Sequence, residues 1–100
     1  MAEKLSADAL EHAAASLGGD WEISADDHIK LTLKLKGFAS ACQHANLAAF
    51  ISEQLNHHAD ISFGWGYCRL SITTHDVGGL SQLDFDFAAR FDAARASEPK

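Results

Sequence analysis

The sequence predicts an α+β fold: an antiparallel sheet of about four strands with three helices packed on one face, in the order α-β-β-α-β-β-α. Apolar residues recur every three or four positions in three segments and every second position in the segments between them, which are the periods of helices and strands. The 100 residues, with 47% hydrophobic side chains and one proline, have the size and composition of one folded domain. No repeat or linker divides the chain, so residues 1–100 are interpreted as a single domain.

The first helix is predicted over residues 6–17. Its apolar positions lie at helical spacing: Leu10, Ala13, Ala14 and Leu17. Ser6 is of the residue type that caps helix N-termini. Gly18 and Gly19 follow where a left-handed residue commonly ends a helix, so we expect the helix to stop at this pair.

Two strands are predicted next. Trp21 and Ile23 alternate with polar residues, and the segment 25–27, Ala-Asp-Asp, has the composition of a turn. From Ile29 to Leu35 apolar and polar residues alternate strictly, which predicts one face on the core and one in water. The polar face carries a basic cluster that we interpret as solvated: Lys30, Lys34 and Lys36.

A long helix is predicted from Phe38 to about Asn56. Its apolar positions form two stripes, Phe38, Ala41, Cys42, Ala45, Ala48 and Ala49 on one and Leu47, Phe50, Ile51 and Leu55 on the other. Because so wide an apolar arc buries more than one side, two arrangements remain open. Either the helix lies in one thick core, or one stripe meets the sheet and the other meets a partner subunit.

A second pair of strands follows the histidine pair at 57–58. Ile61, Phe63 and Trp65 alternate with other residues, glycines interrupt the pattern, and the period of two resumes from Cys68 to Ile72. Either two adjacent strands or one long strand with a bulge satisfies this pattern. In both cases His75 is predicted at the strand's end, on its polar side.

The last helix is predicted to begin at Ser81, after a turn at Gly78-Gly79. Its buried stripe comprises Leu83, Phe87, Phe91 and Ala94, with Phe85 and Ala88 beside it. Residues 96–100 have nothing to bury and are expected to fray.

Charge and cysteine content narrow the classes of function. The formal charge is −6, from 8 basic and 14 acidic residues, which argues against direct nucleic-acid binding because phosphate contacts need clustered cations. Neither a secretory signal nor a membrane span is recognisable, so a cytoplasmic protein is expected. Cys42 and Cys68 lack metal-ligand spacing and are expected to be buried, reduced thiols.

The residues with the most chemical potential lie between Glu53 and Asp84. Three of the six histidines, His57, His58 and His75, fall in this stretch, flanked by the two carboxylates. Imidazole titrates near pH ~6.5, so converging histidines can exchange protons near neutrality without a metal or cofactor. The stretch is therefore a candidate site for general acid–base catalysis.

Each of these residues also has a purely structural interpretation. Histidines suit a helix C-terminus, Glu53 can pair with His57 one helical turn later, and Asp84 can complete a capping box. Adjacent side chains diverge on a helix, but a break at Asn56, a common helix terminator, would let both rings line one pocket. The remaining histidines belong to no motif and are interpreted as surface residues: His12, His28 and His44.

Other chemistries have less support. The strong zinc spacings are absent, neither cysteine has a histidine at the spacing of a nucleophilic site, and no glycine-rich phosphate loop occurs.

The same residues resemble the signature of the pterin-4a-carbinolamine dehydratases, also called 4a-hydroxytetrahydrobiopterin dehydratases. Glu53, three residues, His57-His58, an aromatic at Trp65, nine residues, His75, and eight residues to Asp84 reproduce its spacing, and the segment 72–84, ITTHDVGGLSQLD, is especially close. Trp21 after a Gly-Gly pair extends the resemblance over most of the chain. Two departures concern how firmly the site loop is held: Ala59 replaces the usual proline, and the strand 31–35 lacks the expected arginine.

The resemblance implies a hydro-lyase that converts 4a-hydroxytetrahydropterin to quinonoid dihydropterin, recycling the cofactor of aromatic amino-acid hydroxylases, with no metal or cofactor of its own. His57 and His75 are the implied acid and base, in an order that the sequence does not set, while His58 positions the pterin and shares the proton transfer. Glu53 and Asp84 are the implied orienting carboxylates. Trp65, Thr74 and Trp21 are candidates for further pterin contacts, with packing in the core as the alternative for the two tryptophans.

The resemblance also implies a homodimer or homotetramer. An alternative of another class is a catalytically inactive dehydratase-like binding protein, acting as a coactivator or as an assembly factor, for example for RuBisCO, because fold alone does not fix function. The presence of all three histidines and both acids at the family's spacing favours the enzyme.

Overall fold

The computed structural model describes residues 3–96, so the predicted fraying of the tail beyond Ala96 lies outside the described residues. The elements follow the chain as α1 (Ala7–Ala15), β1 (Trp21–Ile23), β2 (Ile29–Lys34), α2 (Phe38–Leu55), β3 (Asp60–Gly64), β4 (Tyr67–Ile72), a 3-10 turn (His75–Val77) and α3 (Gln82–Ala96). The predicted α+β class and element order are confirmed. No helix within the described residues is long and apolar enough to cross a membrane.

The sheet has the strand order β1-β2-β4-β3, and every neighbouring pair is antiparallel. At its centre Leu31 lies opposite Trp21 on one side and Leu70 on the other. Along β2, buried and exposed residues alternate as the sequence predicts. The apolar face is covered by the helices, and the face that carries Lys30 and Lys34 is open to solvent.

Aromatic residues of α3 pack against the sheet through Trp21. Its ring meets Phe87 and Phe91 edge-on, with centroids 6.4 and 6.2 Å apart, the geometry that aromatic pairs prefer. The indole N–H donates to the carboxylate of Asp92 at 2.9 Å. Trp21 is 6% exposed and belongs to the core, which favours core packing over a pterin contact for this residue.

The start of α1 is as predicted, and its end is not. The Ala9 N–H donates to the Ser6 hydroxyl at 3.1 Å, which confirms the N-terminal cap. The helix ends at Ala15, where the Ser16 hydroxyl donates to the Ala13 carbonyl at 2.7 Å. Because Ser16 satisfies this carbonyl in a right-handed conformation, the end of α1 needs no left-handed glycine, and the expected stop at Gly18 and Gly19 is wrong.

Helix α2 buries part of each apolar stripe and leaves an aromatic residue of each exposed. Its buried residues are Ala41, Ala45, Ala48, Ile51 and Ser52. Phe38 and Phe50 are 54% and 61% exposed, so a single thick core within this chain does not account for both stripes. The partner subunit expected on the second stripe stays a prediction.

The second pair of strands is a hairpin rather than one bulged strand. Trp65 and Gly66 form the turn between β3 and β4, and Gly66 adopts a φ of 85° that favours glycine. The Gly66 carbonyl accepts a hydrogen bond from the Leu35 N–H at 2.8 Å, which ties the turn to the end of β2.

The two cysteines are free, as predicted, but only Cys68 is fully buried; Cys42 is half-buried. Burial raises the pKa of the Cys68 thiol. Since the thiolate is the reactive form, we expect an aromatic disulfide reagent at neutral pH to label Cys42 in the folded protein and Cys68 only after unfolding in urea. The Cys42→Ser variant should show no labelling before unfolding. Rapid labelling of Cys68 in that folded variant would contradict the burial.

Candidate active site

The end of α2 turns the two adjacent histidines in different directions. Asn56 adopts the left-handed conformation, with φ 48° and ψ 43°, and caps the helix. The His57 N–H donates to the Ser52 carbonyl at 3.0 Å, and the Ala59 N–H donates to the Ser52 hydroxyl at 3.2 Å. The chain therefore leaves the helix at Asn56, as the sequence suggests, and Ser52 holds the first residues after it.

His57 is bonded to a carboxylate that is completely buried. Its Nε2–H donates to Asp84 Oδ1 at 2.6 Å, and the Asp84 side chain is 0% exposed. The other oxygen, Oδ2, accepts from the Thr74 hydroxyl at 2.8 Å and from the Ser81 N–H at 2.9 Å. Asp84 thus caps α3, which confirms its structural interpretation, and it is also hydrogen-bonded to His57; its catalytic role stays a prediction.

The buried hydroxyls beside Asp84 have fixed roles. Because Thr74 gives its single proton to Asp84, it accepts a hydrogen bond from Ser81, whose hydroxyl lies 2.7 Å away. The carboxylate in turn fixes the His57 tautomer, since Nε2 must carry the proton that it donates. A neutral His57 ring therefore has its lone pair on Nδ1.

His58 pairs with Glu53 rather than with Asp84. Its Nε2 is hydrogen-bonded to Glu53 Oε2, in a pair whose side chains are 57% and 76% exposed. The alternative pairing of Glu53 with His57 is wrong, because the left-handed Asn56 turns His57 toward α3. An ion pair this exposed contributes little to stability. Its main effect is to orient the His58 ring.

His75 does not lie on a strand. β4 ends at Ile72 and His75 begins the 3-10 turn, so the expected position at the end of the strand is wrong. The Thr74 N–H donates to the Gly79 carbonyl at 3.1 Å, and Gly78, with a φ of 67°, lets the chain double back. This reversal brings the exposed His75 side chain beside the end of α2.

These segments line an open pocket of about 190 Å³. Its lining comprises Asn56, His57, His58, Thr73, Thr74, His75 and Asp76. The three candidate catalytic histidines and Thr74 therefore converge, although they come from two segments of the chain. Trp65 does not join them: it is 74% exposed at the far end of β3, roughly 16 Å along the strand from its start.

A fourth histidine, which the sequence does not single out, lies against this pocket. The His28 ring packs edge-on against His75, with centroids 6.2 Å apart and an interplanar angle of 71°. The interpretation of His28 as an isolated surface residue is therefore wrong. His44 is also half-buried, and its ring centroid lies 6.4 Å from that of Phe91. His12 is exposed, as predicted.

Metal-ligand geometry is not found in the part of the chain that the structure describes: residues 3–96 contain no group of three or more His, Cys, Asp or Glu side chains arranged to hold a metal ion.

Comparison with known proteins gives a consistent family. The family model described as pterin 4 alpha carbinolamine dehydratase matches residues 3–94. Three similar chains, each named "Putative pterin-4-alpha-carbinolamine dehydratase", come from Paracoccus denitrificans (47% identity, covering 93% of this chain and 87% of the relative), Roseiflexus sp. (40%, 92% and 97%) and Rubrobacter xylanophilus (36%, 88% and 81%). A crystal structure from Brucella melitensis, described as a transcriptional coactivator/pterin dehydratase, has the same fold, with a TM-score of 0.81 at 24% identity over 91% of this chain and 97% of that one.

Proposed function

Because this chain belongs to the pterin 4 alpha carbinolamine dehydratase family, we propose that it removes water from 4a-hydroxytetrahydropterin to give quinonoid dihydropterin, in the recycling of a tetrahydropterin cofactor in the cytoplasm. The observation that supports this most is the convergence of His57, His58 and His75 on one pocket, with His57 bonded to the buried Asp84.

The reaction needs one acid and one base. The acid protonates the 4a-hydroxyl, the C4a–O bond breaks as the N5 lone pair forms the C4a=N5 bond, and the base takes the N5 proton, so that water and quinonoid dihydropterin leave. Imidazoles near neutrality can serve in either role. No metal or redox cofactor is required for this balance.

We assign the base to His57 and the acid to His75. Asp84 accepts the Nε2 proton of His57, which leaves Nδ1 as the basic nitrogen and places a negative charge beside the imidazolium that forms when Nδ1 is protonated. His75 is exposed at the other wall of the pocket and can exchange its proton with water between turnovers. His58, oriented by Glu53, positions the pterin.

Of the two other residues expected to contact the pterin, Thr74 lines the pocket and Trp65 does not. The Thr74 hydroxyl is bonded to Asp84 and Ser81, so we assign it to holding the carboxylate while it lines the pocket. Trp65 is remote from the pocket within one chain, and its contact with a pterin stays a prediction.

A homodimer or homotetramer forms part of the same proposal. Phe50 on α2 is 61% exposed, and β3 is an edge strand with an exposed Phe63. Exposed aromatic residues and open strand edges are the surfaces that a second copy covers. Sedimentation of the purified protein would determine the assembly, and a monomer at high concentration would refute it.

Dehydration of enzymatically generated 4a-hydroxytetrahydropterin, followed by ultraviolet absorbance, tests the proposed activity. We expect the wild type to accelerate the reaction over buffer and His75→Ala to lose at least about tenfold, roughly 1.4 kcal/mol of barrier. A folded wild type that is no faster than buffer would refute the enzyme and favour the binding-protein alternative, and the search would turn to its macromolecular partners.

A further inference from the structure

The turn between β1 and β2 is fixed against the site by backbone and side-chain hydrogen bonds. The Ser24 N–H donates to the His28 carbonyl at 2.8 Å, which closes the turn. Ile29 lies opposite Ile72 in the sheet, and continuing this register by one residue brings His28 opposite Thr73. The Thr73 hydroxyl donates to the Asp27 carbonyl at 2.6 Å, so a pocket residue is bonded directly to the turn.

Within this turn the His28 ring is held by Asp26. Its Nδ1 lies 3.1 Å from the Asp26 carbonyl oxygen and 3.3 Å from Asp26 Oδ2. The side chain is 21% exposed. The largest cause that lowers the pKa of Asp26 is a hydrogen bond from the Ser24 hydroxyl, and the charge of Lys30 adds to this effect. Asp26 is therefore an anion at neutral pH, the form that accepts the His28 proton.

The histidines of the pocket differ in how their rings are held. His57 is bonded to Asp84, and His58 is bonded to Glu53. Within residues 3–96, the His75 ring has neither a hydrogen bond nor an ionic partner, and its one ring contact is with His28. The edge-on packing at 6.2 Å covers one side of the His75 ring.

We propose that His28 is a positioning residue for His75, and that Asp26 holds His28 for this purpose. The Asp26–His28 pair then does for His75 what Asp84 does for His57 and Glu53 does for His58: it restricts the rotation of a ring that takes part in the reaction. A ring held near its reactive orientation avoids the cost of being ordered in each turnover. The catalytic part of this inference rests on the proposed dehydration.

Two variants of the 100-residue chain separate the ring contact from other roles of His28. His28→Ala removes the contact, and we expect kcat to fall by about fivefold with KM within about twofold, because orientation rather than binding is lost. His28→Phe keeps an aromatic ring that can pack on His75, and we expect it to recover at least about half of the wild-type kcat. His12→Ala, which removes an exposed histidine of α1, is the matched control and should match the wild type.

Nuclear magnetic resonance of the histidine rings supplies a readout that needs no turnover. In His28→Ala the carbon-bound ring protons of His75 should shift, because they lose the ring current of His28, whereas His12→Ala should leave them in place. His75 resonances unchanged in His28→Ala would overturn the contact. Shifted resonances with an unchanged kcat would overturn the positioning role. A wild type without dehydratase activity would refute the proposed function and with it the catalytic role of His28, even where the ring protons shift.

Discussion

Replacing His57 by alanine is expected to slow the dehydration of 4a-hydroxytetrahydropterin by about 100-fold, equivalent to about 2.7 kcal/mol of activation free energy. The ring is the base in the proposed reaction, and it is the histidine whose orientation is fixed by a fully buried carboxylate. A loss larger than that of His75→Ala is expected because the exposed His75 can be replaced in part by water as a proton donor. Steady-state rates from ultraviolet absorbance give the measurement.

The control for this variant must show that the fold is intact. Circular dichroism and the unfolding midpoint of His57→Ala should be compared with those of His58→Ala, which removes a neighbouring ring paired on the surface with Glu53. If His57→Ala retains more than about a tenth of the wild-type rate while folded, His57 is not the general base, because such catalysis typically contributes at least 100-fold.

Replacing Asp84 by alanine is expected to lower the free energy of unfolding by about 3 kcal/mol. The side chain is 0% exposed and accepts hydrogen bonds from His57, Thr74 and Ser81. Without the carboxylate, the Ser81 N–H and the Thr74 hydroxyl lose a charged acceptor in a buried position, and a buried donor left unsatisfied costs its full desolvation. Dehydratase activity should fall in parallel, because His57 loses its orienting partner.

Urea unfolding followed by tryptophan fluorescence can measure this loss in a Trp65→Phe background. Trp65 is 74% exposed, so its removal leaves Trp21, which packs on Phe87 and Phe91 in the core, as the one reporter. Asp86→Ala is the matched control, since Asp86 is also on α3 but is bonded to the Gln82 side chain near the surface; it should cost less than about 0.5 kcal/mol. Equal losses in the two variants would contradict the network around Asp84.

The elements that the sequence predicts well are those in which one local period decides the outcome. β2 alternates between buried and exposed residues, and the alternation can be read from its side chains alone. The start of α2 at Phe38 and its end near Asn56 follow from a long apolar pattern between a glycine and a residue that tolerates the left-handed conformation. The number of strands and the element order follow from the same patterns.

Contacts that depend on strand register cannot be predicted from local hydrophobic patterns. His28 meets His75 because Ile29 pairs with Ile72, and nothing in the local sequence specifies which residues of β2 and β4 lie opposite each other. The only local signal is that His28 follows a predicted turn, which many surface residues also do. Sequence reasoning therefore finds the three histidines of the motif and misses the fourth.

The remaining errors arise where one residue changes the direction of the chain. His58 rather than His57 meets Glu53 because Asn56 is left-handed, which reverses the pairing that helical spacing predicts. His75 leaves the strand because the chain doubles back at Gly78. In both places a single residue with positive φ changes the direction of the chain. A periodic pattern of apolar residues does not predict such a change.

The strand order β1-β2-β4-β3 constrains how the protein can fold while it is being made. β2 leaves the ribosome early, yet one of its two neighbours is β4, which is synthesised only after α2 and β3. Until then one hydrogen-bonding edge of β2 lacks its partner strand, and an unpaired strand edge is prone to aggregation. Asp84 and the aromatic residues Phe87 and Phe91 come later still. A nascent chain stalled before Asp84 would therefore lack Phe87 and Phe91 from its core and the carboxylate that holds His57.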